Sequence, residues 1–279
     1  MTVRIVTDST CDLTPALAAE LGITVVPLSV FFGEEAFLDG VEIDVPTFYE
    51  RMKHFNGLPR TSQPSVEQFK TAYREAGADG SEIVSIHISS RMSGTLNSAS
   101  VAREELIGDV HVDLIDSYQA SLGLGAVVLE AAAVASAGGT VAEVSRAAHA
   151  AIGRVRVVAM VETLEYLRRG GRIGRAQSLL GSILSIKPLI HTLNGELAPL
   201  ERIRTRAKAL ERLAEIATAD QTIRRLFVAS AGADDAVHEL IERVTPRLPH
   251  TDIRFAQLGS VVGAHAGPGL VGICPVRRE

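Results

Sequence analysis

The chain has few aromatic residues, which limits the ligands it can recognise. Its 279 residues include no tryptophan, and aromatic side chains make up 4% of the total. Proteins that bind single-stranded nucleic acid need exposed aromatic rings on which bases stack. A net charge of -5 also argues against a nucleic-acid binder, which usually presents a strongly basic face. We therefore predict no nucleic-acid partner.

Cysteine and long apolar runs are also scarce. The two cysteines, Cys11 and Cys274, form neither a disulfide framework nor a metal-site spacing, which fits a reducing cytoplasm. Residues 1–6 resemble a strand rather than a secretion signal. The longest apolar stretch, residues 120–137, contains Glu130, whereas a membrane span needs about 20 strongly apolar residues. We expect a cytoplasmic protein with no metal and no integral membrane segment, in which this stretch is a buried helix.

The common motifs of nucleotide, metal and acyl chemistry are missing. The sequence has no G-x-x-x-x-G-K-[ST] loop, no H-E-x-x-H and no G-x-S-x-G elbow. Gly123 and Gly125 lack the third glycine of a dinucleotide-binding turn. The histidines are scattered, so we expect His87, His149 and His238 to be surface or hydrogen-bonded core residues. These absences predict a protein without a cofactor.

What is present indicates a globular α/β protein. Hydrophobic residues make up 46% and charged residues 22%, and the length suggests about two domains at roughly 150 residues each. In the first half, β-branched runs alternate with helical patterns, an order typical of a parallel sheet covered by helices. The predicted strands are residues 4–7, 23–30, 83–88 and 112–115, and the predicted helices are residues 14–21, 66–76, 96–106, 121–137 and 140–152.

The pattern changes near residue 153, which divides the chain into predicted domains 1–153 and 154–279. Two glycines, Gly170 and Gly171, interrupt a helical pattern, and Asn194–Gly195 is a strong hairpin signal. A glycine-rich turn precedes the last strand. The predicted elements of this half are strands 154–161, 226–231, 253–257 and 270–276, and helices 206–217 and 235–245.

Charge is distributed unevenly along the chain. Residues 154–212 contain 12 Lys or Arg and 5 Asp or Glu, so this segment carries +7 while the remainder carries -12. Such a division is typical of a face that docks an acidic partner or phosphate. It is equally typical of a solvated basic helix and loop, and the sequence leaves both interpretations open.

Three hydroxyl-rich segments are predicted to form turns near the ends of strands: residues 61–65, 89–95 and 116–118. In open α/β sheets, ligands bind outside the carboxyl ends of the strands. Hydroxyls and free amides at a helix start suit an anion. Each turn alone is explained by helix capping, for which Ser and Thr are favoured. Three of them at one sheet edge favour a ligand site.

At these segments the chain resembles the DegV family of fatty-acid-binding proteins. The resemblance extends over about residues 3–277 and rests on six stretches in order. It implies an N-terminal three-layer α/β/α domain with a mostly parallel sheet and a C-terminal two-layer α+β domain, with a long-chain fatty acid between them. The matching stretches are residues 8–13 (DSTCDL), 61–65 (TSQPS), 89–95 (SSRMSGT), 164–173 (LEYLRRGGRI), 187–189 (KPL) and 263–269 (GAHAGPG).

The resemblance also implies roles for individual residues. Thr61 and Ser93 are expected to bind the fatty-acid carboxyl group. His265, in the glycine-rich turn, approaches the carboxyl group or serves only as a structural residue. Further candidates near the carboxyl group are Ser62, Gly94 and Thr95.

A protein partner is implied as well. Relatives in the family deliver the fatty acid to a separate fatty acid kinase, which forms an acyl phosphate. Arg169, Arg172 and Arg175 flank the paired glycines, and this loop either docks the kinase or serves solubility. In this interpretation the chain has no catalytic residue.

The energetics of binding fit a lipid site. A C16 tail has about 14 methylenes, and burial at roughly 0.8 kcal/mol each gives about 11 kcal/mol before association costs. The competing interpretation is an acyl esterase with Ser93 as nucleophile and His265 as base, but it lacks an acid member and the elbow motif. A third is a regulatory or scaffold module with an incidental lipid.

Overall fold

The computed structural model describes residues 2–180 and 186–278. Its N-terminal half contains a four-stranded sheet, all of whose neighbouring strands are parallel. The strands are rich in Val and Ile, as expected for parallel strands buried on both faces. In spatial order they are β2 (Ile23–Val26), β1 (Val3–Asp8), β6 (Glu82–His87) and β7 (Val112–Asp116).

Helices cover this sheet on both faces, which confirms the predicted α/β class. Side chains such as Phe69 and Leu106 pack against one face of the sheet, and side chains such as Val127 and Ala148 pack against the other. The helices of this half are α1 (Pro15–Glu20), α2 (Val45–His54), α3 (Val66–Ala76), α4 (Thr95–Glu105), α5 (Leu122–Ser136) and α6 (Val141–Arg154).

The single strand predicted over residues 23–30 is wrong. The chain leaves the parallel sheet after β2 and enters a separate antiparallel sheet, ordered β4 (Glu35–Leu38), β3 (Ser29–Phe32), β5 (Arg60–Ser62). Pro27 separates the two strands and has no N–H for a ladder bond, while the N–H of Leu28 donates to the Ser9 hydroxyl. This small sheet, which carries Thr61 on β5, has no counterpart among the predicted elements.

The C-terminal half contains a mixed six-stranded sheet with two helices, α8 and α9, packed on one face. Its opposite face joins the large core shared with the N-terminal half, through side chains such as Ala159 and Ile190. In spatial order the strands are β10 (Glu196–Ile203), β9 (Lys187–Leu193), β8 (Val158–Met160), β13 (Val271–Arg277), β11 (Ile223–Ser230) and β12 (Asp252–Gln257), and the helices are α7 (Glu165–Arg169), α8 (Arg206–Thr218), α9 (Asp234–Val244) and α10 (Ser260–Ala266).

Two predicted features of this half have clear outcomes. The hairpin at Asn194–Gly195 is confirmed, because both residues have positive φ and join β9 to β10. The placement of His265 in a glycine-rich turn is wrong, since it lies in the last turn of helix α10. Glycine is required within that helix, since a Cβ on Gly263 would lie 2.5 Å from the Tyr49 hydroxyl.

The change between the halves occurs at the end of α6, whose last residue is Arg154. The division at 153/154 stays a prediction. Among residues 2–180 and 186–278, no helix combines the length and apolar character needed to cross a bilayer.

Candidate functional site

A cavity of about 280 Å³ lies between the two halves of the chain. Most of its surface is apolar, with Leu28, Ile88 and Leu122 contributed by the N-terminal half. Ala159 and Ile190 contribute from the C-terminal sheet. Such a predominantly apolar enclosure with a few polar groups is the usual form of a small-molecule site.

One polar contact that joins the two halves at this cavity is between Thr61 and His265. Thr61 lies on β5, which pairs with β3, and His265 lies on α10, 204 residues further along the chain. The Thr61 hydroxyl oxygen is 2.7 Å from Nε2 of His265. Both residues line the cavity, so their contact marks a polar end in an otherwise apolar space.

His265 is uncharged at neutral pH. Burial lowers its pKa to about 4, and the positive charge of Arg172 lowers it further. Its Nδ1 is buried and has no hydrogen-bond partner among the described residues. Because an orphaned N–H donor is rare in protein interiors, the favoured tautomer has its proton on Nε2 and donates it to Thr61. The hydroxyl hydrogen of Thr61 is then free to donate to a ligand.

Ser93 reaches the cavity from the turn between β6 and α4. Its hydroxyl lies 2.8 Å from that of Thr95 and accepts from the Thr95 N–H. Helix α4 starts at Thr95 and has no side-chain cap, so its N-terminus is open to a negative group. Gly94 allows a close approach here, since a Cβ would lie 1.9 Å from Oε1 of Gln63.

Two of the expected carboxyl-site residues lie outside the cavity lining. Thr95 is fully buried and supports Ser93, and Gly94 provides space for Gln63, whereas Ser62 does line the cavity. The third hydroxyl-rich turn is also outside, because the buried Ser117 hydroxyl donates to the Gln119 carbonyl. The prediction of three turns converging on one ligand therefore fails for the third.

Arg172 was predicted only as a residue that docks a partner, and the structure places it in the cavity lining. Its guanidinium donates to the carbonyls of Met92 and Gly170, the first of which precedes Ser93. The side chain is exposed, so it forms a cationic rim beside the polar end of the cavity. Arg169 and Arg175 are exposed and lie outside the lining, as a docking role requires.

Three further hydroxyls of the lining were not singled out as site residues. Thr10 donates to Asp8, Ser121 to Asp12 and Thr192 to Gln119, so each donor is already used. These bonds leave Thr61 and Ser93 as the better placed donors for a ligand. The only sequence signal for Thr10 was its position within the stretch of residues 8–13.

The esterase arrangement is not assembled in the described residues. His265 contacts Thr61 rather than Ser93, and the Ser93 hydroxyl bonds to Thr95. No carboxylate orients the imidazole, because its Nδ1 has no described partner. A general base must lie within hydrogen-bond reach of the nucleophile it activates, and this one does not.

A second set of Asp, His and Ser is structural. His87 lies 2.9 Å from Oδ2 of Asp8 and 2.7 Å from the Ser85 hydroxyl. All three are fully buried, and the Ser85 hydroxyl also contacts that of Tyr73 at 2.9 Å. His87 is thus a hydrogen-bonded core residue, as expected, while His149 and His238 are exposed.

Comparisons with known proteins agree with this geometry. The family model described as "Uncharacterised protein, DegV family" matches residues 2–278. A DegV domain-containing protein of Streptomyces coelicolor is 42% identical over 97% of each chain. A DegV family protein from Thermus thermophilus, described by its fatty acid binding, has a TM-score of 0.92 and 35% identity, with both chains fully covered. DegV from Bacillus subtilis, described as a fatty acid binding protein, gives 0.91 and 33% over the same coverage.

Proposed function

The chain belongs to the DegV family, and from this we propose that it binds a single long-chain fatty acid, such as palmitate or oleate, in the cavity between its halves. The observation that carries the proposal is the cavity itself, which is mostly apolar and has the hydroxyls of Thr61 and Ser93 at one end. Solved structures of relatives at 33 to 35% identity are described as fatty-acid-binding proteins, which supports the ligand class.

The carboxylate is held by the hydroxyls of Thr61 and Ser93. Support comes from the tautomer of His265, whose Nε2–H satisfies the Thr61 oxygen and orients its hydrogen toward the cavity. The open N-terminus of α4 and the nearby Arg172 both favour a negative charge at this point. In this arrangement His265 is a positioning residue that acts through Thr61.

The acyl tail occupies the apolar part of the cavity and supplies most of the binding free energy. Each buried methylene contributes about 0.8 kcal/mol, so a tail of a dozen or more carbons outweighs one or two hydrogen bonds. The polar groups around the carboxylate then determine the orientation of the fatty acid in the cavity rather than its affinity. The fatty acid is consequently held with its carboxyl group near the Arg172 rim.

This orientation suits delivery of the carboxyl group to another protein. We infer a fatty acid kinase as that partner, with Arg169 and Arg175 in the docking surface and acyl phosphate as the product. Both arginines are exposed and neither forms a salt bridge among the described residues, which supports the assignment. The chain itself would act as a carrier in this proposal, and among the described residues His265 contacts Thr61 rather than Ser93.

A titration of delipidated protein tests the function. Palmitate and its methyl ester are titrated separately into the same preparation, whose folding is checked by a melting curve. We expect saturation at one palmitate per chain and clearly weaker binding of the ester, which carries no negative charge. Failure to take up palmitate or oleate, in protein that melts cooperatively, would refute fatty-acid binding.

A further inference from the structure

A second cleft, of about 880 Å³, lies on the other side of β9 from the lipid cavity. Helix α8 covers this face of the C-terminal sheet only as far as its last turn, where Ile216 borders the cleft. Gly153, near the end of α6, also lines the cleft, and a Cβ on it would meet nothing within 4 Å. The cleft is therefore a space that the fold leaves unfilled.

Several arginines lie at this cleft. Val155 pairs with Val276, which places Arg154 across from Arg277. Arg154 is the last residue of α6, and Arg156 follows the bridge by one residue. All three arginines line the cleft, and Arg91 joins them from the turn after β6.

Three of these four arginines have a carboxylate partner: Arg91 pairs with Glu196, and a guanidinium nitrogen of Arg154 lies 4.0 Å from Glu130. Arg277 forms an ion pair of 2.8 Å with Asp220, the only acidic residue of the lining. Arg156 is exposed and has no carboxylate partner among the described residues, and one of its Nη atoms lies 3.3 Å from Nδ1 of His191. Its remaining guanidinium donors are free for a ligand.

His191 accepts this hydrogen bond in its neutral form. Burial lowers its pKa, and the charges of Arg156 and Arg175 lower it further. The ring therefore holds the Arg156 guanidinium in place without adding a charge. A positioned guanidinium with free donors fits the oxygens of a phosphate bidentately, better than a lysine does.

Part of the lining is apolar, and the cleft is of small-molecule size. Val158, Leu193 and Pro275 form its wall, and Tyr118, which is 45% exposed and has positive φ, stands at the rim. A volume between about 300 and 1,000 Å³ is typical of small-molecule sites. The occupant should accordingly combine a phosphate with an apolar group.

We propose that this cleft binds an organic phosphate, with the phosphate on Arg156 and Arg277 and the apolar part against Val158 and Pro275. The site is distinct from the polar end of the lipid cavity, although His191 and Thr192 border both spaces. It also gives a function to part of the basic segment 154–212, which the lipid site leaves unexplained.

Calorimetric titration of the whole chain tests the proposal with four probes: inorganic phosphate, adenosine, adenosine monophosphate and dihexanoyl phosphatidic acid below its micelle concentration. We expect at least one of the two organic phosphates to bind, and adenosine and inorganic phosphate to bind far more weakly. The organic phosphate that binds shows whether the apolar part is a base or an acyl chain.

Variants locate the site. Arg156→Gln should weaken binding of the organic phosphate about tenfold to a hundredfold, the range expected for a charged hydrogen bond. Arg277→Gln serves as a second variant should Arg156→Gln melt abnormally. Arg254→Gln is the matched control, since Arg254 is an exposed, ion-paired arginine on β12, outside the cleft lining.

The outcomes are separable from those of the lipid titration, which uses different ligands and variants. Absence of binding by both organic phosphates at millimolar concentration would overturn the proposal. So would inorganic phosphate that binds as tightly as either organic phosphate, or equal losses in Arg156→Gln and Arg254→Gln.

Discussion

At the scale of single residues, the account depends on two hydroxyls that act on one carboxylate. Thr61→Val and Ser93→Ala should each weaken fatty-acid binding about tenfold to a hundredfold, because a hydrogen bond to a charged group contributes about 1.5–3 kcal/mol. The tail contribution remains, so binding should persist. The measurement is a palmitate titration of each variant, with a melting curve for folding.

The double variant and a control make this test stricter. Both hydroxyls contact the same group, so their effects should not add in the double variant. Ser90→Ala removes a hydroxyl from the same turn that instead bonds to Asp116, and it should bind palmitate normally. Wild-type affinity in both single variants would mean that the carboxyl group lies elsewhere.

Arg172 and Arg169 should separate lipid binding from docking. Arg172 borders the cavity, so Arg172→Glu should weaken palmitate binding by placing a negative charge beside the carboxylate. Arg169→Glu makes the same charge change outside the lining and should leave palmitate affinity unchanged while slowing association with a kinase partner. Palmitate titrations of the two variants check this difference, and equal palmitate affinities would contradict it.

At the scale of elements, helix α10 has the buried carboxyl group of Asp12 at its start. Oδ1 of Asp12 accepts from the Gly259 N–H at 3.0 Å, while Oδ2 accepts from Ser121 in the cavity wall. Burial raises the pKa of Asp12 to about 8, with a further contribution from the negative charge of Asp39. The same helix carries His265, so Asp12 connects the helix start to the cavity.

This raised pKa predicts a specific dependence of stability on pH. A carboxyl group with a raised folded-state pKa contributes stability below about pH 4 that is lost as pH rises through about 8. Asp12→Asn should remove this loss, so its free energy of unfolding should rise relative to that of wild type between about pH 4 and 8 and the difference should stay constant above that. The slope cannot exceed about 1.4 kcal/mol per pH unit for one proton.

Denaturant unfolding of both proteins at several pH values measures the effect. Asp79→Asn is a suitable contrast, because hydrogen bonds from Ser81 and Arg4 hold the pKa of Asp79 below its usual range. The contribution of Asp79 to stability is present above about pH 4 and is lost in acid, so its pH dependence has the opposite sign to that of Asp12. Parallel pH profiles for wild type and Asp12→Asn would contradict the assignment.

At the scale of the whole molecule, a ligand between the two halves should stabilise both together. Binding at a concentration 100 times Kd adds about 2.7 kcal/mol to the free energy of unfolding. For a chain of this size that corresponds to a rise in Tm of roughly 5–10 °C. A melting curve of delipidated protein with and without palmitate checks the shift, and Ser93→Ala should show a smaller one at the same palmitate concentration.

The sequence predicted the parallel sheet better than the small antiparallel one, for a physical reason. Strand β6 is buried over most of its length and is recognisable by its β-branched residues Ile83, Val84 and Ile86. β4 and β5 are short and largely exposed, and residues such as Glu35 and Arg60 give them no apolar pattern. Helix α10 was missed because three of its residues and neighbours are glycines, which usually mark turns.

The candidate site was predictable only where family resemblance identified it. Thr61 and Ser93 stood out through their motifs, but the contact of Thr61 with His265 joins residues 204 positions apart and leaves no local pattern. The place of Arg172 at the cavity depends on its bond to the Met92 carbonyl, which is a tertiary contact. Long-range contacts of this kind follow from packing rather than from local propensity.

Native mass spectrometry of the purified chain tests the central claim most directly. The account predicts one bound species per chain, with a mass equal to that of a long-chain fatty acid. Denaturation should release it into an organic extract, where it can be identified. A folded, monodisperse preparation at the bare polypeptide mass, which also gains no mass when palmitate or oleate is added, would contradict the account.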